Sequence, residues 1–205
     1  MKLQNPITGS VLKKWPAGNI YQGFAENFRL YNQRYGILGH GGIDISGVNY
    51  WGKPVVASCD GIISNIYYNS QTGGQIVSID SDKNEKGDYL HIVYGHLIKN
   101  SQKVIIGGRV KVGQEIAMCG NTGFVISGGT KFWGNAPGNL GTHLHFSVFE
   151  MNNGVAKNPN NGFKGAVSPL IYLTNDYITG YDQILTNLSI ILRDMLNQLL
   201  KFKGR

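Results

Sequence analysis

The chain is poor in charge: 19 basic and 12 acidic residues make up only 15% of its 205 positions, against about 25% in an average domain. The formal surplus of +7 would draw a polyanion such as nucleic acid, anionic lipid or a bacterial wall polymer. No Lys/Arg-rich run with interleaved aromatics occurs, so nucleic acid is the weakest of these. No stretch reaches the roughly 18 apolar residues of a membrane helix, and the opening MKLQNPITGS has no apolar signal-peptide core; neither a spanning segment nor a signal peptide is expected. There are only 2 cysteines, Cys59 and Cys119, and they show no CxxC spacing. Buried free thiols are expected for them, with a bridge left open. Also missing is HExxH, the helix-borne zinc motif with a built-in glutamate base.

Glycine, by contrast, contributes 29 residues, about twice the average usage of roughly 7%. Short apolar runs alternate with Gly, Asn and Asp punctuation from Ile43 to Phe149: PVVAS, GIISNIYY, QIVSID, YLHIVYGHL, KVII, QEIAMCG and HLHFSVFE. The fold class predicted is mainly β, as one main domain of antiparallel strands. Residues 1–20 read as a wrapping arm, 21–173 as the domain proper and 174–205 as a C-terminal element. A short helix is expected over Asn27 to Tyr35, ended by Gly36. The segment from Phe124 to Leu140 holds GGTKFWGNAPGN and reads as a functional loop or a disordered one. From Asp182 to Phe202, Leu185, Leu188, Leu192, Met195 and Leu199 recur at spacings of three and four, the stripe of an amphipathic helix. It would dock on the β domain, self-associate or join a larger assembly, or lie on a membrane surface.

Four of the five histidines fall in three strings: GHGGIDIS around His40 and Asp44, YGHL at His96, and GTHLHFSV at His143 and His145. His143 and His145 stand two apart, so in a strand both face one side while Leu144 faces the other. His40 and Asp44 are four apart, but Gly41 and Gly42 between them disfavour a helix; a glycine-rich turn entering a strand would curl both donors toward one ion. Such a set suits zinc, which needs three protein donors and one open position for water. An HxH pair or an HxxxD alone is often structural; the three strings together point to a site. His96 shares its strand parity with Ile92 and Tyr94, whereas His91 falls on the other face and reads as a bystander.

HxxxD at His40, the tyrosine-containing strand ending in His96-Leu97, and HLHF from His143, in this order, resemble the lysostaphin/LytM-type zinc endopeptidases of peptidoglycan. QGF at Gln22, PVVASCDGIIS from Pro54, RVKVGQEIAMCGNTG from Arg109 and SPLIYL from Ser168 extend the likeness over Tyr21 to Leu173. The resemblance implies a twisted antiparallel sheet with a metal-floored groove. It implies one Zn²⁺ held by His40, Asp44 and His145, with His96 and His143 beside the open position as proton carrier and oxyanion stabiliser in undivided roles. Tyr35 or Tyr31 would supply the tyrosine that the family often places before the first ligand. Asn121, Phe132 and Trp133 complete the candidate substrate contacts.

The expected function is zinc-dependent hydrolysis of peptide bonds in bacterial peptidoglycan, in a cross-bridge or stem peptide. A phage lysin or virion-borne enzyme made in the host cytoplasm would need no signal peptide. Three other readings are weighed. A non-catalytic scaffold or virion component on the same fold conflicts with five filled positions. A lipoyl- or biotinyl-type carrier is suggested by VKVGQEIA but lacks the hairpin-tip lysine motif. A virion structural protein with incidental metal binding differs only in activity.

Overall fold

β11 (Leu144–Asn152) and β6 (Asp88–Leu97) show how the period-two pattern builds this molecule. They pair antiparallel from His145 opposite Gly95 to Asn152 opposite Asp88. Leu144, Phe146 and Val148 on one strand, and Ile92 and Tyr94 on the other, are fully buried, as expected for β-branched and aromatic residues on the covered face of a sheet. Tyr94 meets Phe146 edge-on at 5.3 Å between ring centroids, and its hydroxyl accepts the Ser58 N–H at 2.9 Å. Truncating Phe146 to Ala would cost about 3–5 kcal/mol.

The computed structural model describes residues 1–173; the amphipathic pattern over 182–202 lies outside the described residues. The other strands are β1 (Ile20–Gln22), β2 (Ile43–Ile45), β3 (Pro54–Val56), β4 (Gly61–Asn69), β5 (Gly74–Ser81) and β7 (Arg109–Val110). They are followed by β8 (Glu115–Met118), β9 (Val125–Ser127), β10 (Thr130–Phe132), β12 (Val155–Ala156) and β13 (Ala166–Val167). The main sheet runs β1-β2-β11-β6-β5-β4-β7, with β12 and β13 also paired to β11. Every pairing in it is antiparallel. β3 and β8 form a separate ladder whose Val55, Ile116 and Ala117 belong to the same core. The mainly-β, antiparallel architecture is the one the sequence predicts.

Three local outcomes bear on the site. α1 (Phe28–Tyr35) stands where the sequence placed a helix and ends at Gly36, whose N–H reaches the Asn32 carbonyl at 3.0 Å. The N-terminal arm is part of the core: Leu3, Ile7 and Leu12 are buried in it, and Leu3 bridges to Leu173. Within the turn-rich segment from Phe124 to Leu140, β9 and β10 pair as a short hairpin. Cys59 and Cys119 are free buried thiols, each pushed up to about 12, chiefly by burial. Among the described residues no helix is long and apolar enough to cross a membrane.

Candidate metal centre and cleft

Three neighbouring strands carry the site. β2 sets Asp44 opposite His145 of β11, and β11 sets His145 opposite Gly95 of β6. His40 comes from the turn before β2. Gly39 takes a left-handed φ of 145° there, a conformation open to glycine and few other residues. A Cβ on Gly42 would lie 2.5 Å from the Phe146 carbonyl oxygen and 2.6 Å from Ser147 Oγ. The turn therefore needs Gly42 for close approach to β11, and Gly39 supplies the curl that the sequence reading assigned to Gly41 and Gly42.

The ligating atoms converge. His40 Nε2 lies 2.8 Å from His145 Nδ1, His145 Nδ1 lies 3.0 Å from Asp44 Oδ1, and His40 Nε2 lies 3.2 Å from Asp44 Oδ1. His40 directs Nδ1 at the Gly23 carbonyl, 3.2 Å away, which assigns that nitrogen the proton and leaves Nε2 as a lone pair. Nε2 of His145 lies 2.6 Å from Ser147 Oγ, so Nδ1 is its inward nitrogen. With Ser147 accepting, two lone pairs and a carboxylate oxygen crowd one point, which without a proton or cation between them is repulsive. A tetrahedral ion bound at about 2.0–2.2 Å would hold its donors roughly 3.3–3.6 Å apart, a few tenths of an ångström wider than the separations here; the donor set fits such an ion. Among the described residues this is the one cluster of three His, Cys, Asp or Glu side chains with that property.

The electrostatics agree. Burial alone would raise the Asp44 carboxyl, but the nearby His40, His143 and His145 imidazoles outweigh it and hold it well below the ordinary carboxylate range. Burial lowers His145, with His40 and His143 adding to the effect against the opposing Asp44. Burial also lowers His96 well below the usual imidazole range, helped by His143 and His145. Neutral imidazoles beside an ionised carboxylate are the form that binds a cation.

His96 and His143 stand together beside the cluster, their rings tilted by 50° with 4.4 Å between centroids. Each directs Nδ1 at a backbone carbonyl, His96 at Thr122 (2.6 Å) and His143 at Gly141 (2.7 Å), which leaves Nε2 as the basic nitrogen of each. His143 Nε2 is 3.8 Å from Asp44 Oδ1. His96 arrives there by a route that alternation along β6 would forbid. Ile92 and Tyr94, its parity partners, face the core; His96 adopts a left-handed φ of 58°, beside a register shift between β5 and β6, and so turns to the cleft face. His91 in turn shares the face of His145 and Phe149, and pairs with Asp80 at 2.6 Å. His91 thus keeps the face that alternation predicts, opposite Ile92 and Tyr94, and His96 departs from it.

Asp44 and His145 floor a cleft of about 570 Å³, lined also by His96, His143, Tyr21, Tyr31 and Phe124. A second cavity of about 460 Å³ adjoins it, sharing Tyr31, His96, Phe124 and His145 and continuing past Tyr35 to Phe149 and Phe163. Tyr31 is the helix tyrosine nearest the metal donors, its ring 5.1 Å from that of His40. Its hydroxyl takes a hydrogen bond from Gln22 Nε2 at 2.8 Å, and burial, with Asp44 adding, pushes it up so that it stays protonated. Tyr35, one helical turn on, lines only the second cavity and receives the Arg34 Nε–H at 2.8 Å. Asn121 lines neither; fully buried, it directs Nδ2 at the carbonyls of Ala136, Gly138 and Leu140, tying the hairpin segment down. Phe132 and Trp133 also lie outside both linings, and Trp133 packs behind Phe124 at 5.4 Å.

Thr122 and Ser147 were not singled out from sequence. Thr122 fixes His96 through its carbonyl, while its Oγ1 donates to Leu97 O and accepts from the Gln75 N–H. Ser147 holds His145 and lies two residues beyond it, on the same strand face, which is a signal the sequence does carry.

Comparison with known proteins gives a family match, to Peptidase family M23, over residues 38–159. An uncharacterized metalloprotease of Haemophilus influenzae is 33% identical over 132 residues, 62% of this chain and 22% of its own length; the chain thus spans about a fifth of that relative. The structure of Helicobacter pylori Csd3 aligns at a TM-score of 0.50 with 20% identity, over 98% of this chain and 42% of that one. The catalytic domain of the antimicrobial peptidase lysostaphin from Staphylococcus simulans aligns at 0.46 with 24% identity, over 66% of this chain and 80% of that one.

Proposed function

This chain belongs to peptidase family M23, and from that premise we propose that it is a zinc-dependent endopeptidase that cuts peptide bonds of bacterial peptidoglycan. The observation that carries the reading is the meeting of His40, Asp44 and His145 donor atoms within about 3 Å of one another, under two further imidazoles. Bound by those three residues, zinc would supply a Lewis acid for the scissile carbonyl and lower the pKa of a water toward neutrality.

The chain's own groups do the rest. Gly23 O and Ser147 Oγ orient the two ligand imidazoles, as outer-shell partners do in metal sites. With Nδ1–H held by a carbonyl, each of His96 and His143 offers a lone pair at Nε2 and no N–H toward the cleft. One of them takes a proton from the attacking water and returns it to the leaving amine. The other can donate to a developing oxyanion only once it is itself protonated. The protonated Tyr31 hydroxyl on the same wall is a third polar group for orienting the peptide.

The test is digestion of purified peptidoglycan by the metal-loaded chain, with mass spectrometry of the released fragments. New amino termini at a peptide bond are expected, and removal of zinc by a chelator should stop their release. Fragments cut at the sugar linkages, or none at all, would contradict the proposal.

A further inference from the structure

One exposed feature of the arm is not used by the chemistry above. Trp15 and Tyr21 are 52% and 46% exposed, yet their rings stack face to face, 4.8 Å between centroids and 24° between planes. They are built onto a fixed support. The Trp15 N–H donates to Ile20 O, the Ile20 N–H donates to Lys13 O, and Lys14 Nζ reaches the Tyr21 carbonyl and Glu26. Tyr21 lies on β1, the edge strand, and lines the 570 Å³ cleft. Both rings precede residues 38–159, the part that matches the family.

We propose that the Trp15–Tyr21 stack is a saccharide platform at the mouth of the cleft, holding a pyranose of the glycan strand while the attached peptide occupies the catalytic site. The choice of ligand rests on the wall-peptidase reading and on the chemistry of the patch. A pyranose has an apolar C–H face and a rim of hydroxyl and amide groups. The stack has the matching layout: the exposed Trp15 ring, backed by Tyr21, adjoins a cleft wall that Tyr21 shares with the polar residue Asn49. An acyl chain would need a wider unbroken apolar patch. Peptide and sugar are covalently joined in the wall, so a fragment seated in the cleft brings a sugar to its rim.

The test is calorimetric titration of the full chain with a soluble N-acetylglucosamine tetramer, which contains no bond the proposed enzyme cuts. Saturable binding is expected, weakened about tenfold in Trp15→Ala and largely kept in Trp15→Phe. Trp15→Ala should also release fragments from intact wall more slowly while cleaving a short sugar-free wall peptide at the wild-type rate. No binding by the wild-type chain, or equal binding by Trp15→Ala, would overturn the platform. Binding as expected by a chain that cleaves neither substrate would instead overturn the peptidase reading.

Discussion

Two His–Asp contacts lie on the same face of the same sheet. His145 meets Asp44, and four residues further along β11, about 13 Å away at 3.3 Å per residue, Phe149 stands opposite His91, which meets Asp80. The second contact is the shorter, 2.6 Å against 3.0 Å, yet it has the character of a solvated surface pair. The difference is what surrounds each. His91 and Asp80 side chains are 28% and 33% exposed, and among the described residues no third His, Cys, Asp or Glu side chain joins them in a metal-sized cluster. Asp44 is 13% exposed and receives a third donor, His40, because Gly42 lets the preceding turn touch β11. A histidine beside a carboxylate is therefore not a site; a third lone pair delivered by a close backbone approach makes one.

The contrast breaks most sharply by substitution. His145→Ala should abolish zinc binding and peptide hydrolysis, whereas His91→Ala should leave both intact and cost under about 1 kcal/mol of stability in thermal melts. Metal analysis together with a cleavage assay decides between them. Next in size, His143→Ala and His96→Ala should keep the metal and lower kcat by about 10²- to 10⁴-fold; loss of metal from either would make it a ligand. Gly42→Ala should separate the turn from β11, destabilising the fold by about 1–3 kcal/mol and weakening zinc binding, as melts and equilibrium dialysis would read. Ser147→Ala, which frees the outer nitrogen of His145, should weaken zinc binding by about 10- to 100-fold.

The smallest effect is on pH. In the metal-free chain, His96 and His145 stay neutral below 6.5, the value at which the unfolded imidazoles take up protons. The unfolded state then binds more protons, so stability falls as pH drops below about 6.5 toward the folded-state values. Asp44 works in the same direction at lower pH, its contribution being lost as pH falls through its depressed folded value. Melting temperatures should decline across that range, and His96→Asn should flatten the decline.

Much of this was legible because it is local. The strands follow from two-residue alternation, and the end of α1 follows from Gly36. HxH on one strand face put His143 and His145 in one place. What escaped was set by non-local or single-residue geometry. His96 reaches the cleft through one left-handed φ, which two-residue alternation along the strand does not show. Tyr31 and Tyr35 are one helical turn apart, and the orientation of α1 toward His40 decides which meets the donors. Asn121 sits in a string shared with the family, but its three carbonyl partners lie 15 to 19 residues further on. It braces the wall of the cleft rather than lining it.

The most direct measurement is zinc stoichiometry, by equilibrium dialysis and elemental analysis, of the wild-type chain beside single alanine variants at His40, Asp44, His145 and His91. The account predicts one tightly held ion in the wild type and in His91→Ala, and none in the other three. A full complement of zinc in any of those three, or its loss from His91→Ala, would contradict it.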